Sequence, residues 1–136
     1  MEALSRLEMA LQKQEQILCK ALHTDLGKSK TESVMCEIGL VQGEIRWMKQ
    51  HLGRLCRQKH VRTPLAQFAA KSYQSPSPYS NVLIMSPWNY PVLLTLEPLV
   101  DAIAAGNTAV VKPSAYAPAS ANVLRSEERR VGKECL

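Results

Sequence analysis

Residues 82–114 read VLIMSPWNYPVLLTLEPLVDAIAAGNTAVVKPS and carry the strongest fold signal in the chain. The segment opens with the short apolar run Val82–Met85, which is typical of a buried strand. After a polar loop bounded by prolines, residues 91–105 have a helical pattern that ends at Gly106. A second apolar run, 108–111, follows that glycine. This order predicts two neighbouring parallel strands joined by a crossover helix.

Two amphipathic helices are predicted upstream of this unit. Residues 3–23 place five leucines on one face, at positions 4, 7, 11, 18 and 22. Ser29 and Glu32 have the spacing of a capping box, which predicts the start of a second helix. Its apolar stripe advances by steps of four and three through Val34, Ile38, Val41, Ile45, Met48, Leu52 and Leu55. Together the two helices predict an antiparallel helical hairpin.

The predicted fold class is therefore α/β, with three segments. Residues 1–60 form the helical hairpin, and residues 61–124 form a βαβ unit that is followed by a helix from Pro118 to about Leu124. Residues 125–136 read RSEERRVGKECL, and they end the apolar pattern of a helix that has only just begun. They match the in-frame translation of a common sequencing adapter. We expect this tail to be non-native, so no function is assigned to Cys135.

Composition and charge limit the classes of protein to consider. The chain has 136 residues, 46% hydrophobic and 21% charged, with a net charge of +5. No apolar run approaches the roughly 18–20 residues of a membrane span, and no signal peptide is present, so we expect a cytoplasmic protein. Residues 43–62 carry a net +5 but contain only one aromatic residue, Trp47. We interpret this segment as a solvated helix face and expect no nucleic-acid partner.

Candidate chemistry lies at the carboxyl ends of the two predicted strands, where parallel α/β sheets bind ligands. Residues 86–90 follow the first strand, and Lys112 and Ser114 lie at and just after the end of the second. The Asn89 amide can donate to a developing oxyanion, and Lys112 can donate to hydroxyls or phosphates. Spacing alone leaves a turn asparagine and a solvated strand-end lysine as ordinary alternatives.

Several other site types have no motif in the sequence. The glycine fingerprint GxGxxG is absent, as are a Ser/His/Asp set and a paired-carboxylate site. The four cysteines and three histidines have no metal-ligand spacing, so we expect free thiols and no metal.

The strand-end residues resemble the aldehyde dehydrogenase superfamily. The matching motifs are SPWNYP at 86–91, LEPL at 96–99 and AAGNTAVVKPS at 104–114. Three further motifs resemble the class 3 branch of this superfamily: DLGKS at 25–29, EIG at 37–39 and TPLA at 63–66. The resemblance covers residues 1–124 and is specific, because several motifs occur in the family's order.

This resemblance implies an enzyme that oxidises aldehydes to carboxylic acids with NAD or NADP, and a homodimer in the full-length protein. Asn89 matches the family's oxyanion donor. The positions matching the cofactor site are Met85, Ser86, Pro87, Trp88, Lys112 and Ser114, with Lys112 at the adenosine ribose. Many relatives have an acidic residue where Ala115 stands, and its absence makes NADP use plausible.

The family's nucleophilic cysteine and general-base glutamate lie beyond Leu124, and no cysteine here matches the nucleophile's motif. We therefore expect an N-terminal fragment, with a truncated NAD(P)-binding domain after the helical hairpin, that is inactive alone. A different function is an interaction module, in which the stripe from Val34 to Leu55 binds a partner helix.

Overall fold

The computed structural model describes residues 1–132, with side chains up to Arg125, and Cys135 lies outside the described residues. The helices are α1 (Glu2–Leu26), α2 (Lys30–Ser33), a π-helical segment (Val34–Ile38), α3 (Gly39–Leu55), a 3₁₀ turn (Leu65–Gln67), α4 (Leu93–Ala104) and α5 (Pro118–Gly132). The strands are β1 (Lys59–Val61), β2 (Ser72–Gln74), β3 (Asn81–Met85) and β4 (Thr108–Lys112). No helix in the described part of the chain is long and apolar enough to cross a membrane.

The predicted strand–helix–strand unit is confirmed. β3 and β4 pair in parallel from Asn81↔Thr108 to Met85↔Lys112, and α4 packs against both strands. Gly106, just after α4, has φ +83°, a backbone conformation that glycine adopts without a steric penalty. The α/β fold class follows from this unit together with the N-terminal helices.

Burial of these strands is partly wrong in the sequence prediction. Ile84 is buried, but Leu83, Met85 and Val110 are 62%, 69% and 64% exposed. Successive side chains of a strand point to opposite faces, so α4 covers only one of them. In the described part of the chain, the other face of the β3–β4 sheet has no covering element in contact.

The apolar faces of the N-terminal helices form the core, as predicted. Leu4, Leu22 and the stripe residues Ile38, Val41 and Ile45 are fully buried. The core continues through α4 and α5, so the N-terminal helices and the βαβ unit share it. A buried stripe is not available to a partner helix, which argues against the interaction-module function. Only the end of the stripe departs from the prediction: the side chain of Leu55 is 43% exposed.

The second helix starts as predicted but contains an unpredicted π-helical segment. Ser29 Oγ accepts the Glu32 N–H at 3.1 Å. The helix widens from Val34 onward, and the Gly39 N–H donates to Val34 O. A Cβ on Gly39 would lie only 2.8 Å from that oxygen. The wide turn therefore requires glycine at this position.

Two further features differ from the sequence prediction. β1 and β2 pair antiparallel, a pairing that the sequence does not predict. In addition, α5 runs to Gly132 instead of ending near Leu124. Arginine and glutamate, which occupy five of the six positions from 125 to 130, are good helix formers and explain this continuation. That residues 125–136 are non-native stays a prediction.

Candidate active site

The two loops singled out by the sequence lie side by side at the carboxyl end of the parallel pair. Met85 and Lys112 are register partners, and the Ser86 N–H donates to Lys112 O at 3.2 Å, which extends the ladder by one bond. The side chains of Asn89 and Lys112 are both exposed. Neither forms a hydrogen bond or ion pair with any side chain that the structure describes, so both are available to a ligand.

Ser86 is anchored to α4 through Thr95. Thr95 Oγ1 lies 2.6 Å from Ser86 Oγ and also bonds Pro91 O. A hydroxyl has one proton, so when Thr95 donates to the carbonyl, Ser86 must donate to Thr95. The Ser86 oxygen then offers only acceptor lone pairs to a ligand.

Ser114 is already used within its own loop. Its Oγ accepts the Tyr116 N–H at 3.2 Å, and the residue is half-buried. The hydroxyl proton has no acceptor among the described residues, so it is available to donate.

A buried ion pair that the sequence analysis missed holds the loop after β3. Glu37 is fully buried, and its Oε2 accepts the N–H groups of Val92 at 2.8 Å and Leu93 at 3.1 Å. Lys28 Nζ lies 2.6 Å from Glu37 Oε1 and donates to Asn89 O at 3.1 Å. One signal was present in the sequence: Glu37 lies three residues after Val34 and four before Val41 of the apolar stripe, a spacing that turns a carboxylate toward the core.

Asp25 performs the same task for α5. Its carboxylate accepts the N–H groups of Ala119 at 3.0 Å and Ser120 at 2.7 Å, just after Pro118, which has no N–H to satisfy. The helices that follow β3 and β4 thus both have their first N–H groups bound by carboxylates of the N-terminal segment. Neither helix start offers those groups to a phosphate.

The described thiols lie away from the strand ends in the chain. Cys19, Cys36 and Cys56 are free, and all three belong to the N-terminal helices or directly follow them. Burial raises the pKa of the Cys19 thiol, Glu15 raises it further, and Lys30 lowers it. Cys19 is therefore a protonated, weakly nucleophilic thiol at neutral pH.

A groove of about 680 Å³ lies beside α1, lined by Gln16, Cys19, Lys20, His23, Thr24, Lys28 and Lys30. None of the site residues predicted from the sequence lines it. In the part of the chain that the structure describes, no group of three His, Cys, Asp or Glu side chains is placed to hold a metal ion.

Similar proteins agree with this architecture. The model of the aldehyde dehydrogenase family matches residues 1–132. A 4,4'-diaponeurosporen-aldehyde dehydrogenase of Staphylococcus aureus is 44% identical over 124 residues, which cover 91% of this chain and 27% of that protein. Aldehyde dehydrogenase family 3 member A2 of Rattus norvegicus is 37% identical over 124 residues, covering 91% of this chain and 26% of that protein. The resemblance to the class 3 branch is thereby confirmed.

Solved structures show the same fold. The substrate-bound state of a Staphylococcus aureus aldehyde dehydrogenase superposes with a TM-score of 0.89 at 42% identity, covering 99% of this chain and 29% of that chain. A succinic semialdehyde dehydrogenase from Streptococcus pyogenes, solved with NADP⁺, has a TM-score of 0.79 at 18% identity and supports the fold alone. The chain spans 27% of the length of the Staphylococcus aureus 4,4'-diaponeurosporen-aldehyde dehydrogenase and 26% of the length of the Rattus norvegicus family 3 member. On its motifs, its parallel strand pair and these matches, the chain belongs to the aldehyde dehydrogenase family.

Proposed function

We propose that the chain contributes the oxyanion donor and part of the cofactor site to an NAD(P)-dependent aldehyde dehydrogenase, which oxidises aldehydes to carboxylic acids. The observation that carries the proposal is the pair of free polar side chains, Asn89 and Lys112, at the carboxyl ends of two paired parallel strands. Family membership supports the reaction class.

In this proposal Asn89 stabilises charge on the substrate oxygen. Its amide N–H groups donate to the oxyanion that forms when a thiolate adds to the aldehyde. A donor of this kind contributes about 3 kcal/mol to lowering the barrier. Because the Asn89 side chain has no partner among the described side chains, no internal hydrogen bond must break before it acts.

The strand ends also fit a nicotinamide cofactor, which supplies the hydride acceptor. Lys112 would donate to the adenosine ribose, and the backbone from Met85 to Trp88 would lie against the cofactor. Ser86 contributes acceptor lone pairs, and Ser114 contributes a donor close to Lys112. Ala115 places no carboxylate three residues after Lys112, so a 2′-phosphate meets no repulsion from that position.

The proposal assigns neither the nucleophile nor the general base to this chain. Cys19, Cys36 and Cys56 belong to the N-terminal helical part, and Cys19 is protonated at neutral pH. We expect residues 1–136 alone to turn over no aldehyde. For the whole enzyme, the family resemblance supports a homodimer with an aldehyde substrate.

The test begins by reading the source DNA beyond codon 124. We expect an open frame that encodes a cysteine nucleophile, and the complete protein should then reduce NAD⁺ or NADP⁺ when an aldehyde is added. Asn89→Ala should lower kcat by about 100-fold with little change in cofactor binding. Asn122→Ala, at an exposed position of α5, is the matched control and should leave kcat unchanged. Full kcat in the Asn89→Ala variant would contradict the assigned role.

A further inference from the structure

A buried ion pair lies directly behind the loop that carries the proposed oxyanion donor. From its contacts we infer that Lys28 and Glu37 are positioning residues, which fix the backbone of residues 89–93 and thereby hold the Asn89 amide at the strand end. This role rests on the proposed function, because it acts through Asn89.

Glu37 fixes the far side of the loop. Its carboxylate is fully buried, and Oε2 accepts N–H groups from two consecutive residues, Val92 at 2.8 Å and Leu93 at 3.1 Å. These N–H groups lie at the start of α4, where helical geometry provides no backbone acceptor. The carboxylate also interacts favourably with the positive end of the helix dipole. Glu37 therefore sets where α4 begins relative to the N-terminal helices.

Lys28 fixes the near side. An ammonium group has three N–H donors, and three partners surround this one. They are Glu37 Oε1 at 2.6 Å, Asn89 O at 3.1 Å and the Tyr90 ring, whose centroid lies 3.9 Å away. Lys28 has a residue exposure of only 8%, so water has little access to these contacts. The ammonium group thus holds the peptide group between Asn89 and Tyr90 through its carbonyl oxygen.

In the described structure, the direction of the Asn89 amide is not set by a side-chain hydrogen bond of its own. Its side chain makes no hydrogen bond with a described residue, so its direction depends on its own backbone. That backbone is tied at Asn89 O by Lys28 and at the Val92 N–H by Glu37. Between them, Tyr90 O accepts the Leu94 N–H at 3.0 Å and Pro91 O accepts from Thr95, but among the described residues only the Lys28 contact is made to Asn89 itself. An oxyanion donor must lie within about 2.7–3.1 Å of the charged oxygen. Loss of either tie would let the amide move out of that range.

The alternative is that the pair only stabilises the fold, and the chain offers a matched control for it. Lys49 Nζ pairs with Glu8 Oε2 at 2.8 Å, with side-chain exposures of 28% and 17%. That pair joins α3 to α1, and in the described structure neither side chain forms a hydrogen bond with the 86–93 loop. If the Lys28–Glu37 pair contributes only to overall stability, its loss, like loss of the Lys49–Glu8 pair, should leave the backbone dynamics at Asn89 unchanged.

The first experiment measures backbone dynamics in the 136-residue chain by nuclear magnetic resonance. In Lys28→Met, we expect the backbone order parameter at Asn89 and Tyr90 to fall from about 0.85 to below about 0.6. Lys49→Met should leave both values unchanged. Equal order parameters at Asn89 in the two variants would overturn the inference.

A double variant keeps the question answerable if Lys28→Met fails to fold with one buried charge left unpaired. Lys28→Met combined with Glu37→Gln removes both charges and keeps an oxygen acceptor for the Val92 and Leu93 N–H groups. We expect slow hydrogen exchange at those two amides, as in the unaltered chain, together with increased mobility at Asn89. An Asn89 as rigid as in the unaltered chain would again overturn the inference.

The kinetic experiment uses the complete enzyme of the proposed function. Lys28→Met should lower kcat by roughly tenfold to 100-fold with the aldehyde KM little changed, and this loss should disappear in an Asn89→Ala background. Equal losses in both backgrounds would show that Lys28 does not act through Asn89. The proposed function fails separately, when Asn89→Ala alone has no effect on kcat, and the dynamics of the isolated chain do not depend on that result.

Discussion

At the scale of single residues, the acidic side chains with most structural consequence bind backbone rather than solvent. Asp25 accepts the N–H groups of Ala119 and Ser120, and Glu37 accepts those of Val92 and Leu93. Each carboxylate joins the N-terminal helices to the start of a helix in the βαβ part. These hydrogen bonds to charged oxygens, which are stronger than neutral ones, therefore act together with the shared hydrophobic core to place the two parts.

Replacement of Asp25 tests this role. Asp25→Ala leaves two N–H groups of α5 without their acceptor, and we expect the free energy of unfolding to fall by about 1–2 kcal/mol. Asp101→Ala is the matched control, because Asp101 lies in the last turn of α4. There a negative charge opposes the helix dipole, so its removal should be neutral or slightly stabilising. Urea unfolding of the two variants measures both values, and equal losses would contradict the capping role.

A second residue-scale prediction concerns pH. Burial raises the pKa of Glu44 above its ordinary value of 4.5, and the nearby carboxylates of Asp101 and Glu97 raise it further. The folded state therefore binds the Glu44 proton more tightly than the unfolded state. Its contribution to stability is lost as pH rises from 4.5 through the raised folded-state pKa.

Replacement by the neutral isostere should remove this pH dependence. We expect Glu44→Gln to raise the free energy of unfolding at pH 7 by up to about 0.5 kcal/mol, a modest gain because the side chain is partly solvated. Well below pH 4.5, Glu44 is protonated in both the folded and the unfolded state of the original chain, so the gain should vanish there. Thermal unfolding of Glu44→Gln and of the original chain, at pH 7 and well below pH 4.5, measures the sign of the change in stability. A loss of stability in the variant at pH 7 would refute the prediction.

At the scale of elements, the sequence predicts what local periodicity and steric rules determine. The leucines of α1, the stripe of α3 and the apolar runs of β3 and β4 each repeat within a few residues, and all four elements are confirmed. The β1–β2 pair was missed because strands of three residues carry too short a pattern. The π-helical segment was missed because its signal is a single glycine within an otherwise regular helix.

Gly39 and Gly43 give a direct test of that segment. A Cβ at Gly39 would lie 2.8 Å from Val34 O, whereas a Cβ at Gly43 would meet no atom within 4 Å. We expect Gly39→Ala to destabilise the chain by about 1–3 kcal/mol, since backbone must move. Gly43→Ala should stabilise it by up to about 1 kcal/mol, because alanine favours the helix. Denaturant unfolding measures the change in the free energy of unfolding for each variant. A loss for Gly39→Ala with a gain for Gly43→Ala would support the wide turn, and a gain for both variants would disprove it.

The candidate site also combines features that the sequence predicts with one that it does not. The neighbouring positions of Asn89 and Lys112 followed from one topological rule about parallel strands. Lys28 could not be placed by any such rule, because 61 residues separate it from Asn89. Its contact depends on how the N-terminal helices pack against α4, which local sequence does not encode.

At the scale of the whole molecule, the β3–β4 sheet combines one covered and one open face. The sheet face that contacts α4 is packed into the shared core, whereas the opposite face exposes Leu83, Met85 and Val110. A contiguous apolar sheet face with unpaired edges is a recognised route to association between chains. We therefore expect the 136-residue chain to aggregate through this face.

Substitutions at Val110 and Val111 distinguish aggregation through the open face from a loss of stability, because the two residues are adjacent on β4 and point to opposite faces. Val110 is 64% exposed, so Val110→Thr should slow the growth of light scattering and change the melting temperature little. Val111 is half-buried on the α4 side, and Val111→Thr should cost roughly 1–2 kcal/mol by placing a hydroxyl in the packed layer. If aggregation proceeds instead through unfolded chains, Val110→Thr would leave the scattering rate unchanged and Val111→Thr would increase it. The two substitutions therefore distinguish association of the folded sheet from loss of the fold.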